Sequence, residues 1–126
     1  NLMIAESHST RIGNDDFQDS KRMVSFETGV GGRDNKINVR LKTTVVNMKD
    51  GSEQYRIEVS MIGVFERNGN SQISTDEEFG RVNGAAIIFP FVREHIANIA
   101  LKAGLGSIIL PPVNFTKVNK DKTSNK

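Results

Sequence analysis

The chain has no cysteine. That excludes disulfides, thiolate metal sites and a cysteine nucleophile, and it fits a reducing compartment such as the cytoplasm. No unbroken run approaches the roughly 18–20 apolar residues of a membrane span, and no basic-then-apolar leader pattern opens the chain. Metal-binding spacing is missing too: His8 and His95 stand far apart, neither beside a ligand-type pattern of carboxylates. Gly29-Val30-Gly31-Gly32 is followed by no Lys-Ser or Lys-Thr and no helix start, so it reads as a flexible turn closing a strand, not a phosphate loop. No Gly-x-Ser-x-Gly elbow occurs, and Glu77 with Glu78 reads as helix-start charge. These absences argue against an enzyme, a bound metal or any cofactor.

A basic stripe is also absent. The sequence pI is near 9.1, but the basicity is concentrated at one end. Residues 117–126 carry four Lys and one Asp, which leaves residues 1–116 at a net −1. That end, rich in Lys, Asn, Ser and Thr, reads as a disordered tail beyond one domain of residues 1–116. Arg40, Lys42 and Arg56 share a strand face with Glu58, so a solvated sheet surface is expected there, not a nucleic-acid site.

What is present is pattern. Ile37, Val39, Leu41, Thr43 and Val45 alternate with polar residues, as do Tyr55, Ile57, Val59 and Met61. Asp50-Gly51 between them is a hairpin turn signal, predicting strands over roughly 35–48 and 53–66. Near Ile62, Gly63 and Val64 the alternation slips, which predicts a bulge or a second apolar surface. Residues 23–28 read as a shorter strand and residues 3–12 as a weaker one. The polar link from Gly13 to Ser20 is expected to cross between sheet edges.

Thr75-Asp76-Glu77-Glu78 is a capping-box pattern that predicts a short helix to about Val82. Pro90 marks either a helix start or a kink in a longer helix. Beyond it Phe91, Val92, His95, Ile96, Ile99, Ala100 and Ala103 recur at helical spacing, and Gly104 supplies the C-cap. His95, on the apolar side, reads as a packed or partner-contacting residue. The paired prolines exclude a central strand over residues 108–115, leaving an extended segment laid on apolar surface. Strands followed by a helix give an α+β class: a four-stranded antiparallel sheet with a long C-terminal helix on one face.

Three stretches together carry a resemblance: Phe89-Pro90-Phe91-Val92-Arg93-Glu94-His95-Ile96, then Gly104, then Ile109-Leu110-Pro111-Pro112-Val113-Asn114-Phe115. With Tyr55-Arg56-Ile57-Glu58-Val59 and Gly63-Val64-Phe65 ahead of them, their order resembles the SecB protein-export chaperones. The resemblance implies dimers or tetramers without catalysis, which hold unfolded polypeptides in apolar grooves and pass them to the SecA motor. By position it makes Tyr55, Phe91, Leu105 and Phe115 client contacts. It places Ile57, Val59 and Met61 at an oligomer interface and Glu58 at the partner-docking face. Arg56 stands where the family carries an apolar residue, and the near-neutral charge departs from the family's acidity. Both fit a divergent member, for example one dedicated to the antitoxin of a toxin–antitoxin module. The alternative from another class is a small ligand- or nucleic-acid-binding α+β module whose helix only covers its sheet.

Overall fold

Period-two alternation gives each long strand one apolar face, and only pairing in register can gather those faces into one surface. The computed structural model describes residues 2–11, 16–33, 35–66 and 78–118. Four strands, β1 (Leu2–Arg11), β2 (Lys21–Arg33), β3 (Lys36–Lys49) and β4 (Ser52–Glu66), form one antiparallel sheet in the order β1-β4-β3-β2. Asp50 and Gly51 both adopt positive φ at the β3–β4 turn, which is the conformation the Asp-Gly pair predicts. The hairpin sets Leu41 opposite Met61, Thr43 opposite Val59 and Val45 opposite Ile57, so their side chains share one face.

β1 and β2 lie at opposite edges, so the link between them crosses the sheet, as its polar composition predicts. Two strand expectations are changed: the end of β2, and the bulge alternative near Gly63. β2 continues through Gly29, Gly31 and Gly32 to Arg33, each glycine paired with β3, because an edge strand tolerates residues that a turn would otherwise claim. The register of β3 with β4 runs unbroken through Gly63, and shifts instead at Asn47/Met48 beside the turn. A second irregularity falls in β1 between Ile4 and Glu6. Ile62 and Val64 therefore lie on the sheet's outer face without a bulge.

The main helix, α1, spans Ala85–Lys102 and follows directly from a π-helical segment, Phe79–Gly84. The Ala85 N–H reaches back to the Gly80 carbonyl, five residues earlier. Pro90 is thus inside the helix, not at its start. Ala86, whose carbonyl lacks the proline's missing N–H, is exposed along with Pro90. Thr75, Asp76 and Glu77 of the expected capping box lie outside the described residues. At the other end, Gly104 at φ 76° closes a Schellman motif. Its N–H bonds to the Leu101 carbonyl and that of Leu105 to the Ala100 carbonyl, at 3.2 and 2.8 Å. A short helix, α2 (Phe115–Val118), ends the described chain, so the expected tail begins with two residues of helical turn.

Ala85, Ile88, Phe89, Val92, Ile96 and Ala100 form the buried stripe of α1, laid on Val39, Leu41, Ile57 and Val59 of the sheet. Two glycines set the depth of that contact. A Cβ on Gly80 would sit 2.6 Å from Val30 Cγ2 and 3.0 Å from Val39 Cγ2, and one on Gly84 would sit 2.9 Å from Val39 Cγ2. Helix backbone therefore rests directly on strand side chains. One flaw remains in this layer: the Thr43 hydroxyl is fully buried with no hydrogen-bond partner.

Two stability outcomes follow. Gly80→Ala gains helix propensity of up to about 1 kcal/mol, but crowding Val30 and Val39 outweighs it. We expect a net loss of about 1–2 kcal/mol, read as a lower urea midpoint. Thr43→Val keeps the shape and removes the stranded hydroxyl, so it is expected to raise stability by about 1 kcal/mol in the same assay.

Candidate functional site

The sequence offers four candidate client contacts, and the fold separates them. Tyr55 begins the apolar row of β4 and is only 4% exposed. Phe17, from the link between β1 and β2, stands edge-on to it with ring centroids 5.5 Å apart. That link is held down beside the hairpin turn. Gln54 Nε2 donates to the Asp16 carbonyl at 2.7 Å, and Lys49 Nζ pairs with the Asp16 carboxylate at 3.1 Å. The Gln18 backbone N–H, followed by Lys49, holds the Asp16 carboxyl below the usual aspartate range. Gln54 is itself fixed by an Asn47 amide bond of 2.8 Å in the sheet's interior. The result is a strap across Tyr55.

Phe115 belongs to a second aromatic group. The extended segment after α1 buries Leu105, Ile108 and Leu110 while Ile109 points outward, and it delivers Phe115 between Phe26 of β2 and Phe89 of α1. The three rings meet edge to face at 5.5–5.7 Å, the arrangement their quadrupoles favour. Arg93 covers Phe89 from 5.8 Å and also reaches the Leu110 carbonyl at 3.4 Å. Phe115 is 3% exposed, and Leu105 is buried beside the helix cap. Truncating either aromatic is therefore a core substitution, of the kind that costs about 3–5 kcal/mol for Phe→Ala.

Phe91 is different. It is 52% exposed, on the side of α1 turned from the sheet, in line with Ile87 and Leu101. The neighbouring edge strand β1 adds exposed Met3 and Ile4. Phe91, Glu94, His95, Met61 and the start of β1 line a shallow groove of about 330 Å³. Two polar links hold its walls together: His95 Nε2 to Ser7 Oγ at 3.0 Å, and Arg11 Nη1 to the Ala103 carbonyl at 2.7 Å. His95 is thus a partly buried tether between helix and strand. Among the described residues no group of three His, Cys, Asp or Glu side chains gathers as a metal site.

Ile57, Val59 and Met61 are taken up by this chain's own core under α1 and leave almost no surface. Glu58 lies on the outer sheet face, bonded to Arg56 at 3.3 Å. The apolar flank of α1 is what residue-by-residue reading missed. Ile87 and Leu101 stand three or four residues from Phe91 or from the polar positions Glu94 and Asn98, and that spacing marks them as one strip.

A family profile described as preprotein translocase subunit SecB matches residues 20–126. The chain belongs to the SecB family. A SecB protein-export protein from Thioalkalivibrio sulfidiphilus is 35% identical over 80 residues, covering 61% of this chain and 45% of that protein. One from Hydrogenovibrio crunogenus is 26% identical over 124 residues, covering 96% and 80%. An uncharacterized protein of Methanocaldococcus jannaschii is 33% identical over 81 residues, covering 64% of this chain and 52% of that one. The chain thus spans about half the length of the first of these curated relatives. A Mycobacterium tuberculosis SecB-like chaperone, solved with a peptide from the HigA1 antitoxin, superposes with a TM-score of 0.81 over 90% of this chain and 88% of its own. At 11% identity that likeness speaks for the SecB fold alone.

Tyr55 is the sole tyrosine, and there is no tryptophan, so its fluorescence reports on the strap directly. Phe17→Ala is expected to increase acrylamide quenching of Tyr55 severalfold, since edge-on ring contact is replaced by water. Quenching equal to that of the parent chain would show that Phe17 does not shield the ring.

Proposed function

We propose that this SecB-family chain is a holdase chaperone, working without ATP in the cytoplasm, that binds unfolded polypeptide segments on apolar surface. One observation carries the reading. Ile87, Phe91 and Leu101 on α1, with Ile4 on β1, put four large apolar side chains on one flank of a small domain. Such a flank is costly in water and marks an interaction surface. Phe91 has the contact area and the exposure to take varied client sequences. Tyr55, Leu105 and Phe115 act as client contacts only where the strap or the extended segment yields.

Assembly into a dimer or tetramer is part of the proposal, because a second copy would cover some of this flank while leaving the remainder for clients. Glu58, on the opposite face, is the proposed docking point for a downstream partner such as SecA. The antitoxin peptide held by the M. tuberculosis protein of the same fold favours a second reading, in which the client is one antitoxin.

Phe91→Ser tests the main reading. Being half exposed, it is expected to change stability by less than about 0.5 kcal/mol, yet to cut suppression of aggregation of an unfolded reporter severalfold. Light-scattering mass, measured on the same samples, separates loss of assembly from loss of client binding. Full protection by both Phe91→Ser and Leu101→Ser at unchanged mass would remove this flank from the client site.

A further inference from the structure

The outer face of the sheet carries an ionic arrangement that the client reading does not use. Arg56 of β4 lies between two carboxylates. Its Nη2 and Nε engage Glu53, the latter at 3.2 Å, and its Nη1 donates to Glu58 at 3.3 Å. All three side chains are partly covered, at 40% exposure for Arg56 and under 30% for each glutamate. The hydrogen bond from Arg56 is the largest influence on Glu53, and it holds that carboxyl below the usual range. Two other acids of this face have basic neighbours. Arg40 pairs with Glu6 at 3.5 Å, and Lys42 stands directly across the strand from Glu27. The open pocket beside the Arg56 cluster is lined by two acids, Glu27 and Glu58, and two bases, Lys42 and Arg56, so it presents no net acidic surface.

We infer that Arg56 is a specificity-determining residue of this face. By occupying Glu53 and Glu58 together, it withholds both from lysine- and arginine-rich polypeptide segments. A cationic partner gains little by replacing one guanidinium contact with another, because the carboxylates are already paired and each exposed ion pair contributes little. It also meets the charge of Arg56 itself. Removing Arg56 would leave two half-covered carboxylates with no cation between them, which is the arrangement a basic segment recognises. The inference deepens the docking role proposed for Glu58 and rests on that proposal for its biological meaning. It is independent of client binding at Phe91, on the other side of the sheet.

The test uses the full chain and a fluorescein-labelled Lys-Ser repeat peptide, with binding read by anisotropy at low ionic strength. Arg56→Met is expected to bind the peptide about tenfold more tightly than the parent chain, and added salt should erase the gain. Arg22→Met, which removes the same charge from the helix-facing side of the sheet, is expected to change binding much less. Arg56→Met combined with Glu58→Gln should lose most of the gain. Equal affinity of the parent chain and Arg56→Met, with both weakened by Glu58→Gln, would overturn the gating role while leaving Glu58 as a docking point. Absence of any Glu58 dependence would overturn both. Circular dichroism and aggregation suppression by Arg56→Met are expected to match the parent chain, which keeps a folding defect from being read as a change in specificity.

Discussion

The structure depends on how closely the first turns of its long helix can settle onto one strand. Val39 of β3 touches the helix where Gly80 and Gly84 present no side chain. That lets Ile88, Val92 and Ile96 reach the row formed by Leu41, Ile57 and Val59. A side chain at either glycine would lift the whole stripe from the sheet, because a rigid helix transmits a displacement at one end along its length. Dispersion contacts fall away within a fraction of an ångström. The π-helical turn at residues 79–84 belongs to the same contact, since it carries both glycines and both are buried.

Once that layer is closed, the apolar side chains it cannot accommodate define the rest of the molecule. α1 is apolar over more of its circumference than the stripe it lays on the sheet, so Ile87, Phe91 and Leu101 stay outside. The extended segment after Gly104 covers the end of the sheet nearest β2 and draws Phe115 into the ring cluster with Phe26 and Phe89. The strap at residues 16–20 covers the end near the hairpin turn. The flank beside β1 receives no such cover from the described residues, and it carries the proposed client surface. The outer sheet face is organised by charge instead, with Glu6 paired to Arg40, and Glu53 and Glu58 paired to Arg56.

Much of this was legible in advance. The β3–β4 hairpin, its Asp-Gly turn, the main helix and its glycine cap each have local causes: strict alternation, positive φ, helical spacing and a missing Cβ. That the polar link from β1 to β2 joins opposite sheet edges was readable from its polarity. The reach of β2 through its glycines was not, because pairing with β3 supplies what local propensity lacks. The continuity of the helix ahead of Pro90 was only one of the two alternatives that proline left open. Among the site residues, Tyr55, Leu105 and Phe115 look like Phe91 in sequence, since each is an apolar residue in a family-like motif. Only the positions of Phe17, Phe26 and Phe89 distinguish the covered ones from the exposed one.

The sequence by itself determined which elements form and to which family they belong, because periodicity, turn chemistry and motif order are properties of neighbouring residues. Which apolar side chains are core and which remain available to other chains was decided by tertiary structure. Burial depends on what arrives from distant parts of the chain: β1 beside α1, the strap over Tyr55 and the last segment over β2. The pairing of Arg56 with Glu53 and Glu58 lies between these cases. Alternation along one strand puts Glu58 beside Arg56, and the register shift beside the turn lies between Arg56 and its other partner, Glu53.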